Sequence, residues 1–162
     1  MRRWISPKRS EARPIDTALR FLAQRPRTEY EVRERLRRAG VDQAAIDAAV
    51  GQLRQHRLLD DAAFAQQWIE QRQVARPRGA RLLRSELRQH GVEAATAEAA
   101  AAVVDDSAEA DAYRAATRRA HQLAELDERA FKQRLGQFLA RRGFDWDTIA
   151  AVVERLRSER SA

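Results

Sequence analysis

Apolar residues along this chain follow a helical spacing that repeats three times. Each copy contains Leu-x-x-x-Gly, followed by apolar positions three and four residues apart, as on one face of an α-helix. The leucines are Leu36, Leu87 and Leu139, and the glycines are Gly40, Gly91 and Gly143. The glycines recur roughly every 50 residues, a period typical of stacked supersecondary units. The pattern therefore predicts a repeat protein with an extended binding surface.

Each repeat is predicted to contain three helices, here called A, B and C. In the first repeat, Thr28 and Glu31 form a capping-box pattern at the start of helix B, Gly40 ends it, and Asp42 caps helix C. The same order of signals recurs twice. We therefore predict an all-α fold, an elongated array of three tandem three-helix repeats. The predicted boundaries are a mobile basic tail at 1–13 and repeats at 14–57, 58–106 and 107–162.

The positions of the aromatic residues predict that most of them are buried in the core and do not stack on nucleic-acid bases. Trp146 is expected to pack at the start of the last helix. The aromatic residues on the predicted apolar stripes are Phe64, Trp68, Phe131, Phe138 and Phe144.

Composition supports a helical protein without thiol chemistry. Only 6 Gly and 4 Pro interrupt 162 residues, and there are no cysteines, which excludes disulfides. No apolar run reaches the roughly 20 residues that span a bilayer, and the start lacks a signal-peptide core. We expect a soluble, cytoplasmic protein with no membrane contact. The oligomeric state stays open, with a monomer favoured.

The charge is basic and uneven. The net charge is +7, and residues 1–57 hold 14 basic and 7 acidic side chains. A basic excess favours nucleic acid or an acidic protein surface as partner. Solubility in an arginine-rich protein is an equally good explanation.

Catalytic constellations are not evident. The three histidines lie far apart, and no metal-ligand spacing or phosphate-binding glycine loop occurs. The paired carboxylates at Asp60–Asp61 and Asp105–Asp106 precede predicted helices, where N-caps are expected. We therefore expect no enzyme, no cofactor and no metal site.

Helix B, the glycine turn and helix C resemble a helix-turn-helix in outline. Each helix C begins with carboxylates, which would repel phosphate, so it is a poor recognition helix. Arginines instead lie on the B helices, where they form a possible basic row. They are Arg33, Arg35, Arg37 and Arg38; Arg81, Arg84 and Arg88; and Arg129, Arg134, Arg141 and Arg142.

The densest basic stretch outside the tail is the connector from Arg72 to Arg81. Arginine there can pair with carboxylate or phosphate, although a charged, soluble connector explains it almost as well. A solvated face likewise explains the B-helix arginines. The predicted residues for partner or DNA binding are Arg25, Arg27, Arg33, Arg37, Arg72, Arg76, Arg78, Arg81, Arg84 and Arg88.

Several segments in order resemble the RecX family. Ala18–Arg25, then Thr28–Leu36 and Gly40, resemble its opening. Phe138–Phe144 resembles its C-terminal signature. The resemblance runs from about Thr17 to Leu156. The central signature is matched by Leu58–Asp61, Phe64–Ala65, Gly79, Leu83, Glu86–Leu87 and Gly91.

This resemblance implies an all-helical regulator of the bacterial recombinase RecA. Such a protein binds in the groove of the RecA filament on single-stranded DNA. It suppresses ATP hydrolysis, coprotease activity and strand exchange, and it has no catalytic residues. The alternative is a module that binds single- or double-stranded DNA directly without recombinase contact, and a third is a protein-interaction scaffold.

Overall fold

The computed structural model describes residues 13–160, so the predicted tail lies outside the described range except for Arg13. Residues 13–160 form nine α-helices and no strand. None of these helices combines the length and apolar content needed to cross a bilayer. The helices are α1 Pro14–Leu22, α2 Glu29–Arg38, α3 Gln43–Gln55, α4 Asp61–Ala75, α5 Ala80–Gln89, α6 Ala94–Asp105, α7 Ala108–Gln122, α8 Glu128–Arg141 and α9 Trp146–Arg160.

The buried apolar side chains form three separate cores, one for each group of three consecutive helices. Helices α1–α3 enclose one around Leu36, α4–α6 one around Leu87, and α7–α9 one around Leu139. The chain divides into two compact units, Met1–Asp60 and Asp61–Ala162. The second unit therefore contains the second and third repeats. The predicted all-α class and three-helix repeats are confirmed.

The same glycine turn ends the second helix of every repeat. Gly40, Gly91 and Gly143 have φ values of 80°, 79° and 84°, a left-handed conformation that only glycine adopts at low cost. The next amide reaches back to the leucine carbonyl of the helix. The bonds are Val41 N to Leu36 O at 3.2 Å, Val92 N to Leu87 O at 3.0 Å and Phe144 N to Leu139 O at 3.4 Å.

This bonding pattern is the Schellman motif, in which the residue after the glycine also packs on the helix it has left. Val92 and Phe144 are buried accordingly. The sequence pattern Leu-x-x-x-Gly is thus a helix stop followed by an apolar anchor. It sets the direction in which each third helix begins.

Most predicted helix caps are present, and one is wrong. Thr28 and Glu31 form the reciprocal capping box, and the Asp42 carboxylate accepts from Ala45 N at 3.0 Å. Asp105, in contrast, is the last residue of α6, and Ser107 occupies the N-cap position of α7. The interpretation of the Asp105–Asp106 pair as an N-cap is therefore wrong, because α6 continues through Asp105 and α7 begins only at Ala108.

The aromatic predictions hold in part. Phe64, Phe131 and Phe144 are buried, while Trp68 and Phe138 are half-buried and pack against the cores. Trp146 is 77% exposed, so the expectation that it packs is wrong. The apolar anchor at this turn is Phe144, whose burial leaves Trp146 on the outer face of α9.

Within the second unit, the second and third repeats meet through backbone groups. Gly79 N donates to Arg142 O at 2.8 Å. A Cβ on Gly79 would overlap the backbone carbonyl of Gly143, and one on Gly143 would overlap Leu82. Arg81 adds a bond to Ala140 O at 2.9 Å. The start of α5 and the turn after α8 therefore lie in direct backbone contact, with no space for a Cβ atom on either glycine.

A second contact joins the same two repeats at the other side of the connector. Asp111, buried to 7% exposure, accepts from Gln73 at 3.2 Å and from Ser107 Oγ at 2.9 Å. The Gln73 side chain also bonds the backbone of Arg78 in both directions. Because a buried carboxylate needs such partners, this network fixes the connector against α7.

Substituting Gly79 by alanine should destabilise the second unit. The added Cβ meets backbone, which cannot move aside by rotation of a side chain, so we expect a loss of about 2–3 kcal/mol in the free energy of unfolding. Chemical denaturation followed by circular dichroism measures it. The matched control is Gly136→Ala within α8, where the nearest atom is Ile149 Cγ2 at 3.7 Å. It should gain about 0.5–1 kcal/mol. Equal stability of the two variants would contradict the close backbone approach.

Candidate functional site

The predicted binding arginines fall into two sets because the chain forms two units. Arg25, Arg27, Arg33 and Arg37 belong to the first unit, and Arg72, Arg76, Arg78, Arg81, Arg84 and Arg88 belong to the second.

In the first unit, Arg33 and Arg37 have carboxylate partners close by. Arg33 Nε lies 2.8 Å from Glu29, and Arg33 Nη1 lies 2.5 Å from Asp47. This contact lowers the pKa of Asp47 and raises the pKa of Arg33. Arg37 pairs with Glu34. Within α2 these arginines pair with acidic side chains of the same helix, and through Asp47 the side chain of Arg33 also connects α2 to α3.

The two arginines between α1 and α2 differ from each other. Arg25 lies 3.3 Å from Glu31 and is exposed. Arg27 stacks on Phe21, 3.9 Å from the ring centroid, and its buried Nε has no hydrogen-bond partner. Burial, followed by the charge of Arg25, lowers the pKa of Arg27. The guanidinium of Arg27 is therefore partly committed to packing.

In the second unit, one carboxylate organises the predicted site. Glu86 accepts from Trp68 Nε1 at 3.0 Å and from Arg72 Nε at 3.1 Å, and it pairs with Arg78. Arg72 also lies over the Trp68 ring, 3.3 Å from its centroid. His90 packs edge-on against the same ring. Glu86 thus fixes two of the predicted arginines and one aromatic side chain.

The exposed side of α5 forms a basic groove, called the α5 groove below. It has a volume of about 610 Å³. A neighbouring hollow of about 250 Å³ shares Arg81 and Ser85 with it and extends to Arg141. The groove is lined by Arg81, Arg84, Ser85, Arg88, Gln89, Ala94, Ala97 and Glu98.

The charge of the α5 groove is not balanced. Glu98 is the acidic side chain of its lining, and it lies 2.8 Å from Arg84. Among the residues that the structure describes, Arg81, Arg88 and Arg141 have no carboxylate partner. Guanidinium groups with free donors bind carboxylate or phosphate oxygens. The groove therefore suits an anionic partner.

The described residues contain no group of side chains that could bind a metal ion. Within residues 13–160, no three His, Cys, Asp or Glu side chains come together as metal ligands. The three histidines lie on different helices or turns, at His56, His90 and His121.

Some features of the site were missed from the sequence. The connection of Glu86 to three partners involves residues 8 to 18 positions away, which no local pattern reveals. Arg142, noted only as part of the third basic row, contacts the connector through Pro77 O at 3.2 Å. Two glycines bring it there: the sequence predicts Gly143 as a helix end and places Gly79 in the family signature, but it predicts no contact between them.

These features define an all-α repeat protein with a basic surface groove. The sequence patterns of the RecX first, second and third three-helix domains match residues 15–53, 60–100 and 107–153 in that order. The chain belongs to the RecX family.

Curated relatives named "Regulatory protein RecX" agree. One from Amycolatopsis mediterranei is 33% identical over 93% of this chain and 86% of its own length. One from Chlorobium limicola is 34% identical over 86% of both chains. A relative from Geobacillus thermodenitrificans is 34% identical over 84% of this chain but only 51% of its own length.

Solved structures show the same fold. The crystal structure of RecX from Lactobacillus salivarius superposes with a TM-score of 0.83 at 21% identity, covering 90% of this chain and 95% of that one. A second structure, titled "Crystal structure of regulatory protein RecX", has a TM-score of 0.79, also at 21% identity, with 88% and 72% covered. The three-repeat fold is therefore retained at low sequence identity.

Removing the charge of Glu86 should loosen the connector. Glu86→Gln weakens charge-assisted bonds to half-buried arginines, so we expect a loss of about 1–3 kcal/mol in unfolding free energy. Fluorescence of the Trp68 ring should also shift to longer wavelength as it loses its fixed partner. The matched control is Glu98→Gln, whose exposed pair with Arg84 should contribute less than about 1 kcal/mol. A larger effect at Glu98 than at Glu86 would refute the organising role of Glu86.

Proposed function

We propose that this chain is a regulator of the RecA recombinase. It binds in the groove of the RecA filament on single-stranded DNA and lowers ATP hydrolysis, coprotease activity and strand exchange. It acts in the cytoplasm as a monomer. The observation that carries the proposal is the ordered match of three RecX three-helix domains across residues 15–153. The curated relatives support it by their shared name, regulatory protein.

The proposed mechanism is binding rather than catalysis. A ligand changes the activity of a filament only if it binds one filament state more tightly than another. Helical repeats placed in a groove make many contacts that exist in one geometry of the groove only. Such a ligand stabilises that geometry and opposes the changes that accompany ATP turnover.

Arginines on the B helices and the connector are the proposed contact residues. They would pair with recombinase carboxylates or with DNA phosphates. The residues retained in this proposal are Arg25, Arg27, Arg33, Arg37, Arg72, Arg76, Arg78, Arg81, Arg84 and Arg88. Those already held by Glu86, Glu29 or Asp47 contribute mainly by positioning, because their ion pairs persist without a partner. Arg76 and Arg88 are exposed and have no ion pair with a described residue.

A second candidate function is direct binding of nucleic acid without the recombinase. The observation that favours it is the uncompensated charge of the α5 groove. Direct DNA binding weakens steeply with salt. Such a module would lower DNA-dependent ATP hydrolysis only by occupying the DNA. Inhibition that excess single-stranded DNA relieves would therefore indicate direct DNA binding, and inhibition that persists would indicate contact with the recombinase filament.

The deciding measurement is DNA-dependent ATP hydrolysis by the recombinase with increasing amounts of this protein. We expect inhibition near stoichiometric levels. The double variant Arg76→Glu/Arg88→Glu should raise the concentration for half-inhibition by roughly tenfold, equivalent to about 1.4 kcal/mol, because it replaces two attractive charges with repulsive ones.

The control is Arg118→Glu, an exposed arginine on α7 outside both basic regions. It should inhibit like the unaltered protein. If the unaltered protein leaves ATP hydrolysis unchanged, the regulatory function is wrong. If the double variant inhibits as well as the control, the assignment of the contact residues is wrong.

A further inference from the structure

Three arginines converge where the connector after α4 meets the turn after α8. Arg142 Nη1 donates to Pro77 O at 3.2 Å. Pro77 is the residue between Arg76 and Arg78, and consecutive Cα atoms are about 3.8 Å apart. The guanidinium of Arg142 therefore lies against the peptide between Pro77 and Arg78, one residue from Arg76.

This arrangement is held from several directions. The backbone of Arg142 accepts from Gly79 N at 2.8 Å, and its guanidinium lies over Phe138, 4.6 Å from the ring centroid. Pro77 is buried, and Gln73 bonds both the amide and the carbonyl of Arg78. The backbone of the cluster and the Arg142 side chain are thus built into the contact between two repeats, while the Arg76 side chain is exposed.

The carboxylates nearby do not balance its charge. Glu86 is shared between Arg72 and Arg78, so one negative charge faces two positive ones. Asp111 is paired with Arg114. Among the residues that the structure describes, Arg76 and Arg142 have no ion pair.

The surroundings of Arg142 disfavour its positive charge. Burial, followed by the charges of Arg76 and Arg78, lowers the pKa of Arg142. A bound anion would favour the charged form of Arg142, because it would offset the positive charges of Arg76 and Arg78.

We propose that Arg76 and Arg142 form a binding site for a backbone phosphate of single-stranded DNA, while Arg78, which is paired with Glu86, adds positive charge beside it. The site deepens the proposed function, since the filament carries such a strand. Guanidinium forks pair bidentately with phosphate oxygens, and a tetrahedral phosphate offers oxygens to donors that approach from different directions.

A nucleic-acid strand also suits the surroundings better than an isolated carboxylate does. Arg81 begins the α5 groove three residues after Arg78, and the groove continues to Arg88. A strand repeats its negative charge at every nucleotide. One strand can therefore occupy the cluster and the groove together.

The test is the salt dependence of binding between the full chain and a fluorescently labelled oligo(dT), measured by anisotropy. Each phosphate contact to a single strand contributes roughly 0.7 to the slope of log K against log salt concentration. Arg76→Gln should lower that slope by about this amount. Arg142→Lys keeps the charge but loses the fork and the ring contact, so it should lower affinity with little change in slope.

The control variant is Arg118→Gln, which should match the unaltered protein in slope and affinity. Thermal unfolding of each variant confirms folding, and Arg76→Gln removes an exposed side chain without a hydrogen bond to another described residue, so it should fold normally. If its slope and affinity equal those of the unaltered protein, the phosphate site is wrong.

Two further outcomes separate this site from the proposed function. If the variants inhibit the recombinase less but bind oligo(dT) unchanged, the cluster contacts protein and the phosphate site is overturned while regulation stands. If the slopes change as expected but the unaltered protein does not inhibit ATP hydrolysis, the phosphate site is supported and the regulatory function fails.

Discussion

The left-handed glycine after the second helix of each repeat is the constraint on which the rest of the structure depends. At Gly40, Gly91 and Gly143, positive φ values turn the chain while the next amide still bonds the helix just completed. An L-amino acid with a side chain reaches this conformation at a cost of roughly 1–2 kcal/mol. The turn fixes where the third helix starts, and therefore which of its faces closes the core. Three such turns produce three small cores rather than one large one.

Gly143 has a second role, and this distinguishes the last two repeats from the first. Its backbone lies against Leu82 and Gly79, so that α8 ends in contact with the start of α5. A side chain at either glycine would separate the two segments. The same contact brings Arg142 to the connector that carries Arg76 and Arg78. The close approach of Gly79 and Gly143 thus determines where Arg76, Arg78 and Arg142 come together.

The arginines of this chain perform different tasks although the sequence presents them alike. Arg33, Arg72 and Arg78 are held by carboxylates and position the helices around them. Arg88 and Arg76 are exposed without such partners. Exposed guanidinium groups remain available to an external anion, whereas paired ones would first have to give up an existing bond. The proposed contact with a recombinase filament and its DNA therefore rests on the second group.

Local sequence determined the helices, the capping box at Thr28, the glycine turns and the three-repeat order, because each depends on residues within one or two helical turns. The apolar stripes and the family signatures are local in the same sense, so the sequence is sufficient to place the chain in its family. The tertiary structure alone decided that Asp105 ends a helix instead of starting one, that Trp146 faces solvent, that Glu86 joins Arg72 to Arg78, and that Gly79 meets Gly143. These outcomes depend on which segments approach one another across tens of residues, and periodicity carries no information about such distances. The sequence shows how many arginines the chain has. Only the packing of the helices decides which of them pair with carboxylates and which stay available to a partner.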